Sequence, residues 1–237
     1  MILYNLLRVL LYFIIMILSI FNKKLLNFFK TRLFQKMENN NFLNNNEKAT
    51  LVHFSSVGEF NLSKELIEKI LQVRKGEKKQ KVILSVMTDT GFSAVSKIYS
   101  EDKNVKIFYF PLDDFFAMKK IYKKYKIEKT IVVETEIWPN LYYFAQKNGQ
   151  LFIVNGRLTE KKLKSYLKFR WLIRKTLNCA TKIMVQSIPD KERYERLGID
   201  KNKIKVYKNL KYSIKYNKIS NEQKKYYLDT IIDKNKK

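Results

Sequence analysis

Thr130-Ile131-Val132-Val133-Glu134-Thr135-Glu136-Ile137-Trp138-Pro139-Asn140 runs from an apolar segment into a carboxylate-rich turn. Thr130–Glu134 is short, β-branched and without polar alternation, the pattern of a strand buried on both faces of a parallel sheet. Six other runs share the pattern: Thr50–Ser55, Val82–Met87, Val105–Phe110, Leu151–Asn155, Lys182–Gln186 and Ile204–Tyr207. Helical stripes lie between them. Leu62, Leu66, Ile67, Ile70 and Leu71 form one, and Phe115, Met118, Ile121, Tyr122 and Tyr125 another. This alternation predicts an α/β fold built on a doubly wound sheet.

Right-handed crossovers put every strand-to-helix loop at one edge of such a sheet, and ligands bind there. The loops read Ser55-Ser56-Val57-Gly58-Glu59, Met87-Thr88-Asp89-Thr90-Gly91, Pro111-Leu112-Asp113-Asp114, Glu134-Thr135-Glu136, Asn155-Gly156-Arg157, Gln186-Ser187 and Lys208-Asn209-Leu210-Lys211. Glu59 falls in the first turn of a helix, beside a glycine that admits a substrate to the backbone. It is a general base toward a sugar hydroxyl, or a carboxylate that only stabilises the helix start. Glu134 and Glu136, two apart, face the same way on a continuing strand. They read as a carboxylate pair, a divalent-cation site, or one strand-end carboxylate tied to a lysine. Thr88, Thr90 and Gly91 suit an anion at a helix N-terminus, without a Walker pattern. Asp113-Asp114 reads as a helix N-cap pair. Arg157 and Lys211 suit a phosphate or carboxylate. Trp138 stacks on a ligand or belongs to the core. His53 reads as a buried, hydrogen-bonded histidine and Cys179 as a small core residue.

The 237 residues carry 48 Lys+Arg against 22 Asp+Glu, a net +26. With 46% hydrophobic residues the chain can build a core. One cysteine excludes a disulfide scaffold, and one histidine with it excludes a Cys/His zinc site. The excess charge fits either the lysine bias of an AT-rich genome or attraction to anions. No helix-turn-helix, RNP or zinc pattern is visible, so nucleic acid is not the expected partner.

Met1 to Phe21 is apolar apart from Asn5, Arg8 and Ser19, and residues 1–37 hold no acid. As a helix this segment is ~31 Å long, enough to span a bilayer core. The basic flank Lys23, Lys24, Lys30, Arg32 and Lys36 places the rest of the chain in the cytoplasm. An amphipathic helix lying in the membrane plane is the competing reading, and a cleaved signal peptide the third. The expected division is an anchor over 1–22, a basic and Asn-rich linker over 23–48, a folded domain over 49–212 and a lysine-rich tail over 213–237.

The loops, taken in order, resemble the 3-deoxy-D-manno-octulosonic acid (Kdo) transferases of lipopolysaccharide synthesis. The residues that carry the resemblance are His53 with Ser56-Val57-Gly58-Glu59, Met87 to Gly91, Pro111-Leu112-Asp113, Glu134 to Asn140, Asn155-Gly156-Arg157 and Asn209-Leu210-Lys211-Tyr212. Lys208 departs from the glycine that family has before Asn-Leu-Lys. The resemblance implies the N-terminal, acceptor-binding half of a GT-B glycosyltransferase of two Rossmann-like domains. It further implies inverting, metal-independent transfer from CMP-Kdo to a lipid A precursor at the cytoplasmic face of the inner membrane, without a cofactor. Glu59 is then the general base, with Glu134 and Lys211 stabilising the transition state. Ser56, Gly58, Thr88, Thr90, Gly91, Arg157 and Asn209 would contact substrate. The donor domain is expected to be missing from these 237 residues, leaving a half that binds acceptor and is inactive alone. The alternative is a non-catalytic, membrane-associated protein that binds anionic glycolipid.

Overall fold

The computed structural model describes residues 2–35, 42–44, 47–75 and 78–207. Two helices come first, α1 (Ile2–Ser19) and α2 (Lys23–Leu33). Next come β1 (Ala49–Phe54), α3 (Val57–Gln72), a two-residue hairpin of β2 (Arg74–Lys75) and β3 (Lys78–Lys79), β4 (Lys81–Val86) and α4 (Asp89–Tyr99). The chain continues through β5 (Val105–Tyr109), α5 (Phe115–Lys124), β6 (Ile127–Val133), α6 (Pro139–Asn148), β7 (Gln150–Gly156), α7 (Glu160–Leu167) and α8 (Arg170–Leu177). Its last described elements are β8 (Lys182–Val185), α9 (Ile188–Arg196) and β9 (Ile204–Val206).

Seven strands form one sheet in the order β5-β4-β1-β6-β7-β8-β9, with every pairing parallel. This is the doubly wound, Rossmann-like architecture that the sequence predicts, and all seven expected strands are present. β1 and β6 are buried along their whole length, which is why neither shows polar alternation. Alternate residues serve two cores. Leu51, Ile83 and Phe110 join Met118, Tyr122, Leu141 and Leu177 on one face, and Val52, Phe54 and Val82 join Phe60, Ile67 and Val95 on the other. Thus α3 and α4 cover one face and α5, α6 and α8 the opposite one. The winding reverses between β1 and β6, which makes their carboxyl ends the switch point of the sheet.

The helices start where the sequence offers caps. Ser56, Thr88, Asp114, Thr159 and Ser187 each accept a backbone N–H in the first turn of α3, α4, α5, α7 and α9. α6 begins at Pro139 behind Trp138, which supplies no side-chain cap.

α1 is long and apolar enough to cross a membrane. It packs beside α2 and touches the domain through one polar face. Tyr4 donates to Asp113, Asn5 exchanges hydrogen bonds with Asn140, Arg8 pairs with Asp114 at 2.7 Å, and Tyr12 donates to the Leu112 carbonyl. The rest of its surface is exposed and apolar, with Leu6, Leu10, Phe13 and Leu18 each more than half accessible. α2, inside the stretch expected as linker, is docked as well. The fully buried Arg32 donates to the Met87 carbonyl and to Asp89, and its guanidinium lies 3.6 Å over the Phe28 ring.

Candidate active site

Ser56-Val57-Gly58-Glu59 forms a variant of the capping box, in which the carboxylate reaches one residue past the N-cap. The Ser56 hydroxyl accepts the Glu59 amide, while the Glu59 carboxylate turns back to accept the amide of Ser55. So the helix-start reading of Glu59 describes its geometry. The carboxyl also has unusual electrostatics. Burial pushes its pKa up to about 7, and the charges of Glu136 and Glu134 add to the rise against the Ser55 amide. A carboxyl poised near neutrality is what a general base at pH 7 requires.

Glu134 and Glu136 do not lie on a continuing strand. β6 ends at Val133, and Glu134 takes the left-handed conformation at φ 62°. Its amide still bonds to the Val154 carbonyl at 2.8 Å, so the turn falls immediately at the sheet edge. The expected two-residue spacing on one strand face is therefore broken by backbone geometry. A glutamate in the left-handed region costs about 1–2 kcal/mol, and such strain persists where the surroundings impose it. Glu136 is raised by burial and held by Trp138, whose indole donates to it at 3.1 Å. Lys162 offsets part of that rise. β1 and β6 are adjacent, so their loops lie side by side at the switch point, and the charges of Glu136 and Glu134 both raise Glu59.

Thr135, which sequence reasoning passed over, ties this loop to its neighbours. Its hydroxyl donates to the Arg157 carbonyl at 2.6 Å, accepts the Arg157 amide at 3.0 Å and meets the buried Tyr194 hydroxyl at 2.9 Å. Arg157 itself is exposed above the end of β7. On the other side of β1, Thr88 caps α4 by accepting the Gly91 amide and donates to the Ser55 carbonyl at 3.0 Å. Gly91 is buried in this junction, where an added Cβ would sit 2.8 Å from Val86 and 2.9 Å from Thr88. Thr90 is exposed on the first turn. Gly58 is exposed, and a Cβ there would meet nothing nearer than the Ser56 hydroxyl at 3.7 Å. The packing of this chain thus explains Gly91 but leaves Gly58 open to the outside.

The Asp113-Asp114 pair divides its labour differently from the expected N-cap pair. Asp114 caps its own helix, accepting the Ala117 amide at 2.8 Å. Asp113, fully buried, caps α6 instead through the amides of Asn140 and Leu141. Burial pushes the Asp113 carboxyl up to about 7, and those two amides and the Tyr4 hydroxyl pull it back. Trp138 is partly buried and packs against the core, 4.8 Å from the Phe110 ring. His53 is buried, 3.2 Å from the Ser85 hydroxyl, and burial lowers its pKa to about 3, so it stays neutral. Lys208, Asn209 and Lys211 lie outside the described residues. Among the described residues no group of three or more His, Cys, Asp or Glu is placed to hold a metal ion.

Residues 28–214 match the family described as 3-deoxy-D-manno-octulosonic-acid transferase (kdotransferase). The chain belongs to the Kdo-transferase family. Its curated relatives include a bifunctional glycosyltransferase/methyltransferase of Fusobacterium nucleatum, 38% identical over 182 residues, covering 76% of this chain and 28% of that protein. A 3-deoxy-D-manno-octulosonic acid transferase of Haemophilus influenzae is 27% identical over 171 residues, covering 72% of this chain and 39% of that one. The chain therefore spans between a quarter and two fifths of the length of these relatives. Among solved structures, UDP-GlcNAc 2-epimerase from Neisseria meningitidis superposes with a TM-score of 0.50 at 13% identity, over 77% of this chain and 53% of the other. That likeness is one of fold.

Proposed function

We propose that this chain supplies the acceptor side of an inverting transfer of Kdo from CMP-Kdo to a lipid A precursor at the cytoplasmic face of the inner membrane. Glu59 removes the proton from the attacking hydroxyl. Glu134 and Lys211 stabilise the transition state, with the lysine suited to the charge on the leaving phosphate. Single displacement requires one base, no enzyme nucleophile and no metal ion. The observation that carries this reading is the position of Glu59: at the switch point of the sheet, half-buried, and held near neutrality by burial and two neighbouring carboxylates. The open face of Gly58 beside it suits a glycolipid passing close to the backbone.

The same reading puts α1 in the plane of the membrane. Four of its polar side chains bond to the domain, and Arg8 is buried against Asp114. A spanning helix would break these contacts. Hydrogen bonds to charged groups are worth about 1.5–3 kcal/mol each. An in-plane helix keeps them and buries only the outer apolar face in lipid.

The deciding experiment uses a transferase assembled from this chain and the remaining length of the Haemophilus relative, supplied with CMP-Kdo and a lipid A precursor. Glutamine also serves in a capping box, so Glu59→Gln keeps the helix start and removes only the base. The expected loss is ~10²–10⁴-fold in kcat. Near-parental turnover in the folded variant would exclude Glu59. Glycolipid binding without transfer by any assembled form would favour the non-catalytic alternative.

A further inference from the structure

A buried polar knot joins the apolar helix to the site edge, and no step of the transfer uses it. Asp113 lies at its centre, fully buried and left-handed at φ 57°. One carboxylate oxygen accepts the Leu141 amide at 2.8 Å, and the other accepts the Asn140 amide at 2.9 Å and the Tyr4 hydroxyl at 2.8 Å. The Asn140 side chain donates to the Asp113 carbonyl at 2.6 Å and to Asn5 at 2.7 Å, and Asn5 donates back at 3.1 Å. Two residues of α1 thus complete the capping of α6 by a residue from another loop. That capping is needed because Trp138 offers none of its own.

The first turns of α6 in turn hold the carboxylate loop. Trp138 donates its indole N–H to the Glu136 side chain, and Tyr142 donates its hydroxyl to the Glu136 carbonyl at 2.8 Å. Tyr4 and Asn5 therefore bond to Asp113 and Asn140 at the start of α6, and Trp138 and Tyr142 of the same helix start bond to Glu136, whose charge raises Glu59. At its outer end, α1 presents Leu6, Leu10 and Phe13 to the surroundings. Water gives that face nothing to pack against, whereas a bilayer holds it.

We infer that Asp113 is a positioning residue that transmits the seating of α1 to the start of α6, so that lipid contact on the outer face of α1 sets the Glu134–Trp138 loop. Its consequence for catalysis rests on the reading of that loop as part of a transferase site. The coupling itself does not, and is measured without any sugar donor.

The test is hydrogen exchange, read amide by amide, on the 237-residue chain in nanodiscs of phosphatidylethanolamine and phosphatidylglycerol. Tyr4→Phe removes one donor to Asp113 and leaves the apolar face intact. Exchange at the Asn140 and Leu141 amides should accelerate several-fold, and in Asp113→Asn by ~10- to 100-fold, while Val52 and Ile131 in the sheet keep their protection. If Asp113→Asn does not fold, Tyr4→Phe decides. Parental protection at Asn140 and Leu141 in a membrane-bound Tyr4→Phe chain would overturn the inference and leave α1 an anchor only. In the assembled transferase Tyr4→Phe should lower kcat and leave the acceptor KM unchanged. A rise in KM alone would also count against positioning. If no transfer is found in the parent, the transferase reading fails while the exchange result stands.

Discussion

Tyr4 donates its phenol hydrogen to the Asp113 carboxylate at 2.8 Å, closing a contact between residues 109 positions apart. It makes the most apolar segment of the chain part of the folded domain. Asn5, Arg8 and Tyr12 extend the contact along the helix, so one face of α1 is fixed by polar bonds and the other is exposed and apolar. The proposed in-plane helix would have both ends on the same side of the bilayer.

Chemical labelling reads this topology directly. With Cys179 replaced by alanine, a cysteine introduced as Ile2→Cys should react with a membrane-impermeant maleimide from the cytoplasmic side in inverted vesicles. Leu10→Cys, on the lipid-facing side, should resist the reagent from either side. Labelling of position 2 only from the opposite side would establish a spanning helix.

The sheet was legible because its signal is local. Buried parallel strands are continuous apolar runs, and each of the seven falls within three residues of its expected ends, the largest difference being the start of β6 at Ile127. The placement of Glu59, Glu134 and Glu136 at one sheet edge was legible, since topology alone sends them there. Its details depend on what strand periodicity does not encode. The left-handed turn at Glu134 and the cross-loop capping by Asp113 arise from tertiary contact. The docking of α1 did leave a trace, because Tyr4, Arg8 and Tyr12 recur at every fourth position and mark one helical face. Hydropathy hides that stripe, since tyrosine counts as nearly apolar and the segment averages to a membrane span. Arg32 shows the same limit. It reads as one of a basic flank, yet it is fully buried between α2 and the end of β4.

The two loop glycines should separate packing from ligand approach. Gly91→Ala forces a Cβ to 2.8 Å from Val86 and 2.9 Å from Thr88 and should destabilise the fold by about 1–3 kcal/mol, read as a lower thermal midpoint. Gly58→Ala meets open space within a helix and should leave the midpoint unchanged or raise stability by up to about 1 kcal/mol. If the acceptor crosses this face, the same Gly58→Ala should weaken binding of a lipid A precursor despite the intact fold. Unaltered affinity would move the acceptor path away from α3.

If Glu59 is the proposed base, the charge of Glu136 should help raise the pH at which it works. Glu59 must be ionised to accept a proton, and its pKa stands at about 7 chiefly through burial, with Glu136 and then Glu134 as the next contributions that raise it. In the assembled transferase, kcat/KM should therefore fall as pH drops through about 7, well above the ordinary carboxylate value of 4.5. Glu136→Gln removes a like charge and keeps an oxygen for the Trp138 indole. The acid limb should then move to lower pH, with the plateau at alkaline pH retained. Stability gives an independent reading with a definite sign. A carboxyl whose pKa is higher in the folded chain binds its proton more tightly there, so ionisation opposes folding. Its effect is absent below about 4.5, grows through the interval to about 7 and is complete above it. Glu59→Gln should accordingly unfold at a higher temperature than the parent at about pH 8, with the difference shrinking as pH falls toward 4.5. The partial exposure of Glu59 lets solvent screen the effect and keeps it small. An acid limb that stays in place in Glu136→Gln would separate the two loops electrostatically and remove Glu136 from the control of the base.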